Sequence, residues 1–243
     1  MIPQMILNLY NIKMFKNTFA ILSLLLVTPT VYAGTIKGEV SYTGKITPPA
    51  THKTGNFQKV CGPEIPDESL ILSNQKVKNV VVWLEGKQAK KLKSKPGTFS
   101  IDQKRCAYYP HVLAMPQGSE LKILTSDPIN HNIHTYSFEN DPINIMFLPN
   151  QDYAQEMEEP EVIKVSCDLH SWMEAYIVVT PHSYYSITES SGAFEIKDVP
   201  PGKYTLKLWH ESLGEESRKI EVGENDTQVN FTFSELATQE SHN

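Results

Sequence analysis

Cysteine is scarce in this chain: among 243 residues there are three, Cys61, Cys106 and Cys167. An odd number cannot close fully into internal pairs, so at least one thiol is left over. Three are also too few for a four-cysteine zinc site. Basic charge is short too, with 22 Lys and Arg against 28 Asp and Glu, and no basic stripe stands out. That removes nucleic acid from the expected partners, and an acidic surface favours cationic ones instead. The Gly-x-Ser-x-Gly nucleophile elbow is missing, which leaves a Ser/His/Asp or Cys/His nucleophile unsupported. Helical periodicity is absent beyond the first thirty residues, and no apolar run is long enough to span a bilayer comfortably.

What is present begins with a leader. Lys16 precedes an apolar run from Phe19 to Val27, and Val31-Tyr32-Ala33 puts small residues where a signal peptidase reads. Residues 1–33 are expected to be a signal peptide, with Met14 a better start for it than Met1. Its removal takes away Lys13 and Lys16 and no acid, leaving 20 basic against 28 acidic residues. The mature chain is expected to be periplasmic or secreted, with no membrane span after cleavage. The remainder reads as strands separated by Gly, Pro, Asn and Asp. Val77–Gly86 is a β-branched run closed by glycine, and in KYTLKLW Tyr204, Leu206 and Leu208 share one face. Lys87–Gly97 reads as a solvated connector and residues 234–243 as a frayed polar tail. The predicted fold class is all-β.

One constellation carries chemistry. Cys167-Asp-Leu-His170-Ser-Trp-Met173 sets a thiolate, an imidazole and a thioether at three-residue intervals on a short connector between two strands. A second imidazole, His131, opens an earlier strand in DPINHNIHTY. Two histidines, one cysteine and a weak axial methionine are the donors of a mononuclear copper electron-transfer site. The tight loop would turn three side chains toward one point, and the fourth would arrive from a neighbouring loop at the same end of the sandwich. His170, borne on that loop, is expected nearest the surface as the exit path for the electron.

These residues resemble a known family. CDLHSWM has the Cys-x2-His-x2-Met ligand loop of amicyanin-type cupredoxins, and PINHNIHTYSF resembles the segment bearing their first histidine. AMPQGSELKILTSD is similar to the glycine turn, strand and polar pair that precede it. The resemblance covers residues 99–182. It implies a Greek-key β-sandwich binding one copper ion per chain through His131, Cys167, His170 and Met173, with Asn132 tying the two ligand loops together. If Cys167 is a ligand, Cys61 and Cys106 remain as a disulfide pair. A second resemblance covers the flanks: GTIKGEVSYTG, VKNVVVWLEG, SITESSGAFEI and VPPGKYTLKL are similar, in that order, to a carboxypeptidase regulatory-like (starch-binding-like) β-sandwich. The layout implied is a copper domain at 98–182 inserted into a small second sandwich made of 34–97 and 183–233. Chains with both parts resemble bacterial proteins described as methylamine-utilisation or plastocyanin-like.

The other candidates are weighed separately. His111, in YYPHVLAMP, is the reserve ligand. His134, three residues past His131, faces away on a regular strand. His182 and His210 are expected to be merely hydrogen-bonded, and Trp172 to shield the metal. Met115, Met146 and Met157 do not form a methionine-rich tract. The reading is a copper protein transferring electrons to a redox protein partner, not an enzyme. Its alternatives are copper storage or delivery, and a carbohydrate- or surface-binding module, for which Tyr184, Tyr185 and Trp209 could form an aromatic platform.

Overall fold

A computed structural model of the chain describes residues 33–237. The expected leader therefore lies outside the described residues apart from Ala33, as do residues 238–243 of the expected tail. Its described part is tied down, with the Ala237 N–H donating to the Ser212 carbonyl. The fold is all-β: strands run from Gly34 to Phe233, with one α-helix of four residues, Gln58–Cys61, among the described residues. Among the described residues no helix is long and apolar enough to cross a membrane.

Four main sheets enclose three apolar layers. The first joins Gly34–Tyr42 to Ala193–Val199, Lys76–Val77, Thr227–Gln228 and Phe231–Phe233. The second orders Tyr185–Ile187, Val81–Glu85, Gly202–His210 and Gly214–Val222. The third runs Asn144–Phe147, His131–Tyr136, Glu161–Ser166, Glu174–Thr180, Val112–Pro116, and the fourth Tyr153–Met157, Ser119–Thr125, Thr98–Lys104, Ala107–Tyr109. The strand Val81–Glu85 shows how the sequence dictates this. Its side chains alternate, so Val82 and Leu84 enter the core between the first two sheets while Val81 and Trp83 enter the layer between the second and third. A strand covered on both faces reads as an unbroken apolar run. Gly34–Tyr42 has only one fully covered face and alternates instead, burying Ile36, Val40 and Tyr42.

The strands on either side of 98–182 in the sequence thus pair with each other, Gly34–Tyr42 with Ala193–Val199 and Val81–Glu85 with Gly202–His210. One stretch departs from the layout expected. Residues 51–66 belong by sequence to the second sandwich, yet Cys61 and Ile65 pack into the core between the third and fourth sheets. The physical reason is covalent, because Cys61 is disulfide-bonded to Cys106. The connector 87–97 is also less solvated than expected, since it contains a 3-10 turn, Ala89–Lys91, with Ala89 buried.

The middle layer joins the two sandwiches. Val81, Trp83 and Trp209 of the second sheet meet Val112, Ala114 and Val178 of the third, and Trp209 packs on Tyr176 with ring centroids 5.0 Å apart. Tyr185 packs in the same layer and donates to the Ala114 carbonyl at 3.1 Å, and Tyr184 packs against the outer core. This corrects the expected aromatic platform: Trp209 is 8% exposed, and two of its three members spend their apolar surface joining sheets. Burying aromatic rings of this size dominates interface energetics.

A buried ion pair closes the edge of this layer. His111 Nε2 meets the Glu211 carboxylate, with side chains 10% and 6% exposed, and His111 Nδ1 lies 3.8 Å from Glu68. Burial opposes the charge on His111, but Glu211, Glu68 and Asp67 outweigh it and raise its pKa above the usual imidazole value. Burial raises the Glu211 carboxyl as well, against the pull of His111. His111 holds its proton more tightly folded than unfolded, so its contribution is complete below an unfolded imidazole pKa of about 6.5 and is lost as pH rises through the raised value, whereas the raised Glu211 carboxyl contributes fully only below its own unfolded value of about 4.3. Removing one partner of a buried pair costs roughly 3–5 kcal/mol. Glu211→Gln should therefore lower the melting temperature strongly at pH 6 and less at pH 9. A difference between variant and parent that does not change with pH would overturn this reading.

Candidate metal centre

The ligand loop is built by the hairpin of Glu161–Ser166 and Glu174–Thr180, whose register ends at Ser166 opposite Glu174. Inside it the Cys167 N–H donates to the Met173 carbonyl at 3.1 Å and the Met173 N–H to the His170 carbonyl at 2.9 Å. This closure folds the loop inward, leaving Cys167, His170 and Met173 buried and Leu169 exposed. His131 opens the adjacent strand, paired opposite Phe147.

Three of the four predicted donors converge. Donor atoms of His131, Cys167 and His170 all lie within 4.8 Å of one another. The two histidines meet through their Nδ1 atoms at 3.1 Å, and Cys167 Sγ is 3.7 Å from His170 Nδ1. Met173 is 1% exposed in the same core. His111 is not with them: it is engaged by Glu211 and Glu68, which corrects its standing as reserve ligand. His134 is half-buried, bonded to Asp168 at 3.1 Å and stacked on Tyr136. His182 donates to the Leu84 carbonyl, and His210 accepts the Ser212 N–H, its pKa pushed by burial down to about 4. Met115 and Met157 are core residues, while Met146 is exposed.

The electrostatics suit a cation. Burial opposes ionisation of Cys167, but a hydrogen bond from His131 and the backbone N–H groups of Asn132, Leu169 and His170 hold the thiol below its usual range. His131 is likewise opposed by burial, yet Asp127 and Cys167 raise its pKa. His170 is pushed down to about 4 by burial and by the charge on His131. The directions favour an ionised sulfur at Cys167 and a protonated ring at His131, and they keep His170 neutral. His170 Nε2, on the far side of that ring, is buried without a hydrogen-bond partner. One thiolate and two imidazole nitrogens aimed at one point, with a buried thioether on the same loop, fit a borderline-soft first-row metal ion, copper among them.

The surrounding groups fix the donors. Asp127 Oδ2 accepts from His131 Nε2 at 2.9 Å and from the Cys106 N–H at 2.7 Å, while Oδ1 accepts the Arg105 N–H at 2.7 Å. Asn132 bridges the loops: its Oδ1 accepts the Asp168 N–H, and its Nδ2 donates to Asp168 and Asn144. Tyr108 donates to the carbonyls of Asn132 and Ser166, at 2.6 and 2.9 Å. Trp172 is half-buried beside His170 and donates to the Cys106 carbonyl at 3.1 Å.

His170 does not lead to the surface as expected. It is 1% exposed, because the ring of Phe57 stands edge-on to it with centroids 4.4 Å apart. Sequence reasoning missed Phe57, Asp127 and Tyr108. Asp127 had a trace in the polar pair before the histidine strand. Phe57 had none beyond lying four residues before a cysteine, in a stretch that reads as irregular.

The comparisons come after this geometry. A family model described as polysaccharide lyase family 4, domain II, matches residues 161–229, a span that runs from the hairpin carrying Cys167 into the second sandwich. No curated protein matches the chain. Among solved structures it is similar to a copper-containing nitrite reductase (NirK) from Thermus scotoductus SA-01, at 16% identity and TM-score 0.32, over 46% of this chain and 25% of that one. It therefore spans about a quarter of that reductase. It is also similar to a purple cupredoxin from Nitrosopumilus maritimus, at 22% identity and TM-score 0.29, over 33% of this chain and 98% of that one. An amicyanin mutant in its Cu(I) form aligns at 18% identity and TM-score 0.32, over 35% and 83% of the two chains.

Metal affinity should depend on the carboxylate behind His131. Outer groups that orient a ligand typically contribute about 10–100-fold in affinity. Asp127→Asn keeps the shape and removes the charge, and a competition titration with Cu(II) should show a loss in that range. Unchanged affinity would mean that Asp127 serves only the turn at Arg105 and Cys106.

Proposed function

We propose that this chain is a periplasmic or secreted mononuclear copper protein that passes electrons by the outer-sphere route. The observation that carries the reading is the meeting of Cys167 Sγ with the Nδ1 atoms of His131 and His170. Together with Met173 they form a type-1-like set for one copper ion per chain, with Met173 as the weak axial donor. When bound, copper supplies a one-electron couple. The protein's part is positional. Asp127 orients His131, Asn132 locks the two loops together, and Tyr108 pins the strands from which the donors come. The rings of Phe57 and Trp172 lie against His170, and Phe57 is 40% exposed, so the path to a partner runs through aromatic groups rather than the imidazole edge.

Four protein donors leave no position for a substrate, which supports a carrier rather than an enzyme. The partner implied is a redox protein, and the acidic balance of the chain favours a cationic one. The apolar run before Ala33 and the Cys61–Cys106 disulfide support an oxidising, extracytoplasmic compartment. The flanking sandwich, which by its sequence motifs resembles a carboxypeptidase regulatory-like module, serves to hold the copper module through the shared middle layer. Carbohydrate binding by an aromatic platform loses its support, because Tyr185 and Trp209 are spent on that layer.

The test is spectroscopic. Cu(II) added to the mature protein should give an intense sulfur-to-copper charge-transfer band that Cys167→Ser abolishes. Tight zinc binding with no such band on copper addition would sink the proposal. Met173 separates electron transfer from storage or delivery. A thioether favours Cu(I) over harder ligands, so Met173→Gln should keep copper bound, shift the band and lower the reduction potential. A large loss of Cu(I) affinity, in a parent protein with no reversible couple, would favour delivery.

A further inference from the structure

The element that buries His170 is a small unit in its own right. Thr51–Lys53 and Glu64–Pro66 pair antiparallel, the Asp67 N–H donates to the Ala50 carbonyl at 2.8 Å, and the buried Thr54 hydroxyl donates to the Gly62 and Pro63 carbonyls. Among the described residues, the hydrogen bonds of residues 51–66 are made within 50–67. To the rest of the molecule this strap is joined by apolar packing of Val60, Cys61 and Ile65, by Phe57 against His170 and Trp172, and by one covalent bond, Cys61–Cys106. Hydrogen bonds of its own would survive its displacement, so Phe57 is kept in place by that apolar packing and by the disulfide, the covalent tie of the strap to the copper-site sheets.

The two sulfurs differ in access. Cys106 is 0% exposed, whereas Cys61 lines a cleft of about 500 Å³ together with Arg105, Trp172 and Glu64. Cys61, 8% exposed, is thus the more accessible partner for a thiolate, with Cys106 as the leaving group.

We propose that residues 51–66 are a door over the metal-binding His170 and that the Cys61–Cys106 disulfide is its latch, opened by a dithiol reductant. The inference rests on the reading of His170 and Cys167 as metal ligands, and it adds control of metal exchange to that site. The chemistry is thiol–disulfide exchange. One thiolate of the dithiol attacks Cys61 Sγ, the bond to Cys106 breaks, and Cys106 leaves as a thiolate that takes up a proton. The second thiol of the reductant then attacks its own partner in the mixed disulfide and releases Cys61 as a thiol. Two electrons and two protons pass to the protein, and the reductant ends as a disulfide. Latched, the site is closed and suited to outer-sphere transfer. Unlatched, His170 and Cys167 open to solvent and the metal can leave or load.

Cys167 itself reports on the door. It is the free cysteine of the chain and is 3% exposed. In the metal-free mature protein, its alkylation by iodoacetamide, followed by peptide mass spectrometry, needs no copper. Phe57→Ala should open the door directly. Cys61→Ser with Cys106→Ser should unlatch it, as should brief dithiothreitol treatment of the parent protein followed by desalting, which applies even if the double variant does not fold. All three should speed Cys167 alkylation by about tenfold or more, since labelling follows the open population. In copper-loaded protein, transfer to a Cu(I) chelator should accelerate in step. Unchanged alkylation in Phe57→Ala would overturn the door. Acceleration in Phe57→Ala, with none after either loss of the disulfide, would overturn the latch. A protein without the charge-transfer band, but with accelerated alkylation in all three arms, would refute the copper reading and leave the door standing.

Discussion

The carboxylate of Asp127 holds together parts that the sequence keeps apart. It accepts from His131 on one side and from two consecutive backbone N–H groups, Arg105 and Cys106, on the other. Those two residues form the two-residue turn between Thr98–Lys104 and Ala107–Tyr109, both with positive φ, 53° and 56°. Such a turn normally takes Asn-Gly, because side-chain-bearing residues in the left-handed region cost about 1–2 kcal/mol each. Here the carboxylate grips both N–H groups and offsets that cost. Cys106 is then placed to bond Cys61, and its carbonyl to receive Trp172. One acidic side chain thereby links His131, a strained turn, the loop 167–173 and the strap over His170.

The four-sheet stack explains why so rigid an arrangement survives in a chain with a modest core per sandwich. The sandwich that carries Cys167 contributes one face of the third sheet to the middle layer, and the flanking sandwich contributes one face of the second. Neither sandwich exposes that face to water, so the strands Val81–Glu85 and Glu174–Thr180 are covered on both sides. Each fully buried aliphatic side chain there contributes about 1.5–3 kcal/mol. The hairpin that carries Cys167, His170 and Met173 is an extension of one of these doubly covered strands. Its stiffness comes from the neighbouring module as much as from its own.

Local chemistry was legible in the sequence and long-range packing was not. The spacing of Cys167 and His170 on a tight turn brings Sγ and Nδ1 to 3.7 Å, and Met173 on the same loop is buried. The β-branched run at 80–84 and the alternation in 34–42 give strands of the right kind, since period-two burial is a property of the strand itself. The role of residues 51–66 was hidden. Gly, Thr and Asn there read as a loop, and nothing local says that a disulfide to a residue 45 positions away folds that loop over His170. His111 was misread for the same reason, because its partner Glu211 lies a hundred positions on. Trp209 and Tyr185 carry the apolar bulk of a binding platform or of an interface alike, and only the neighbouring sheet decides between them.

The titratable groups at the centre are costly to bury. The Asp127 carboxyl and the Cys167 thiol are held below their usual ranges, the His131 ring above its own, and His170 is pushed down to about 4, all nearly inaccessible to solvent. These shifts favour the charged forms of Asp127, Cys167 and His131 in a low-dielectric interior. Bringing ions into such surroundings costs several kcal/mol each, and apolar residues of similar volume would usually be as stable or more so. Stability therefore does not account for a cluster of titratable groups at this place. The cost to the fold has to be met nearby. By the chain-entropy model, closing a loop of this separation contributes about 4 kcal/mol, comparable with the penalty for one such ion. The disulfide sits at the turn that Asp127 grips, where the same bond that stabilises the polar centre also closes it off from water.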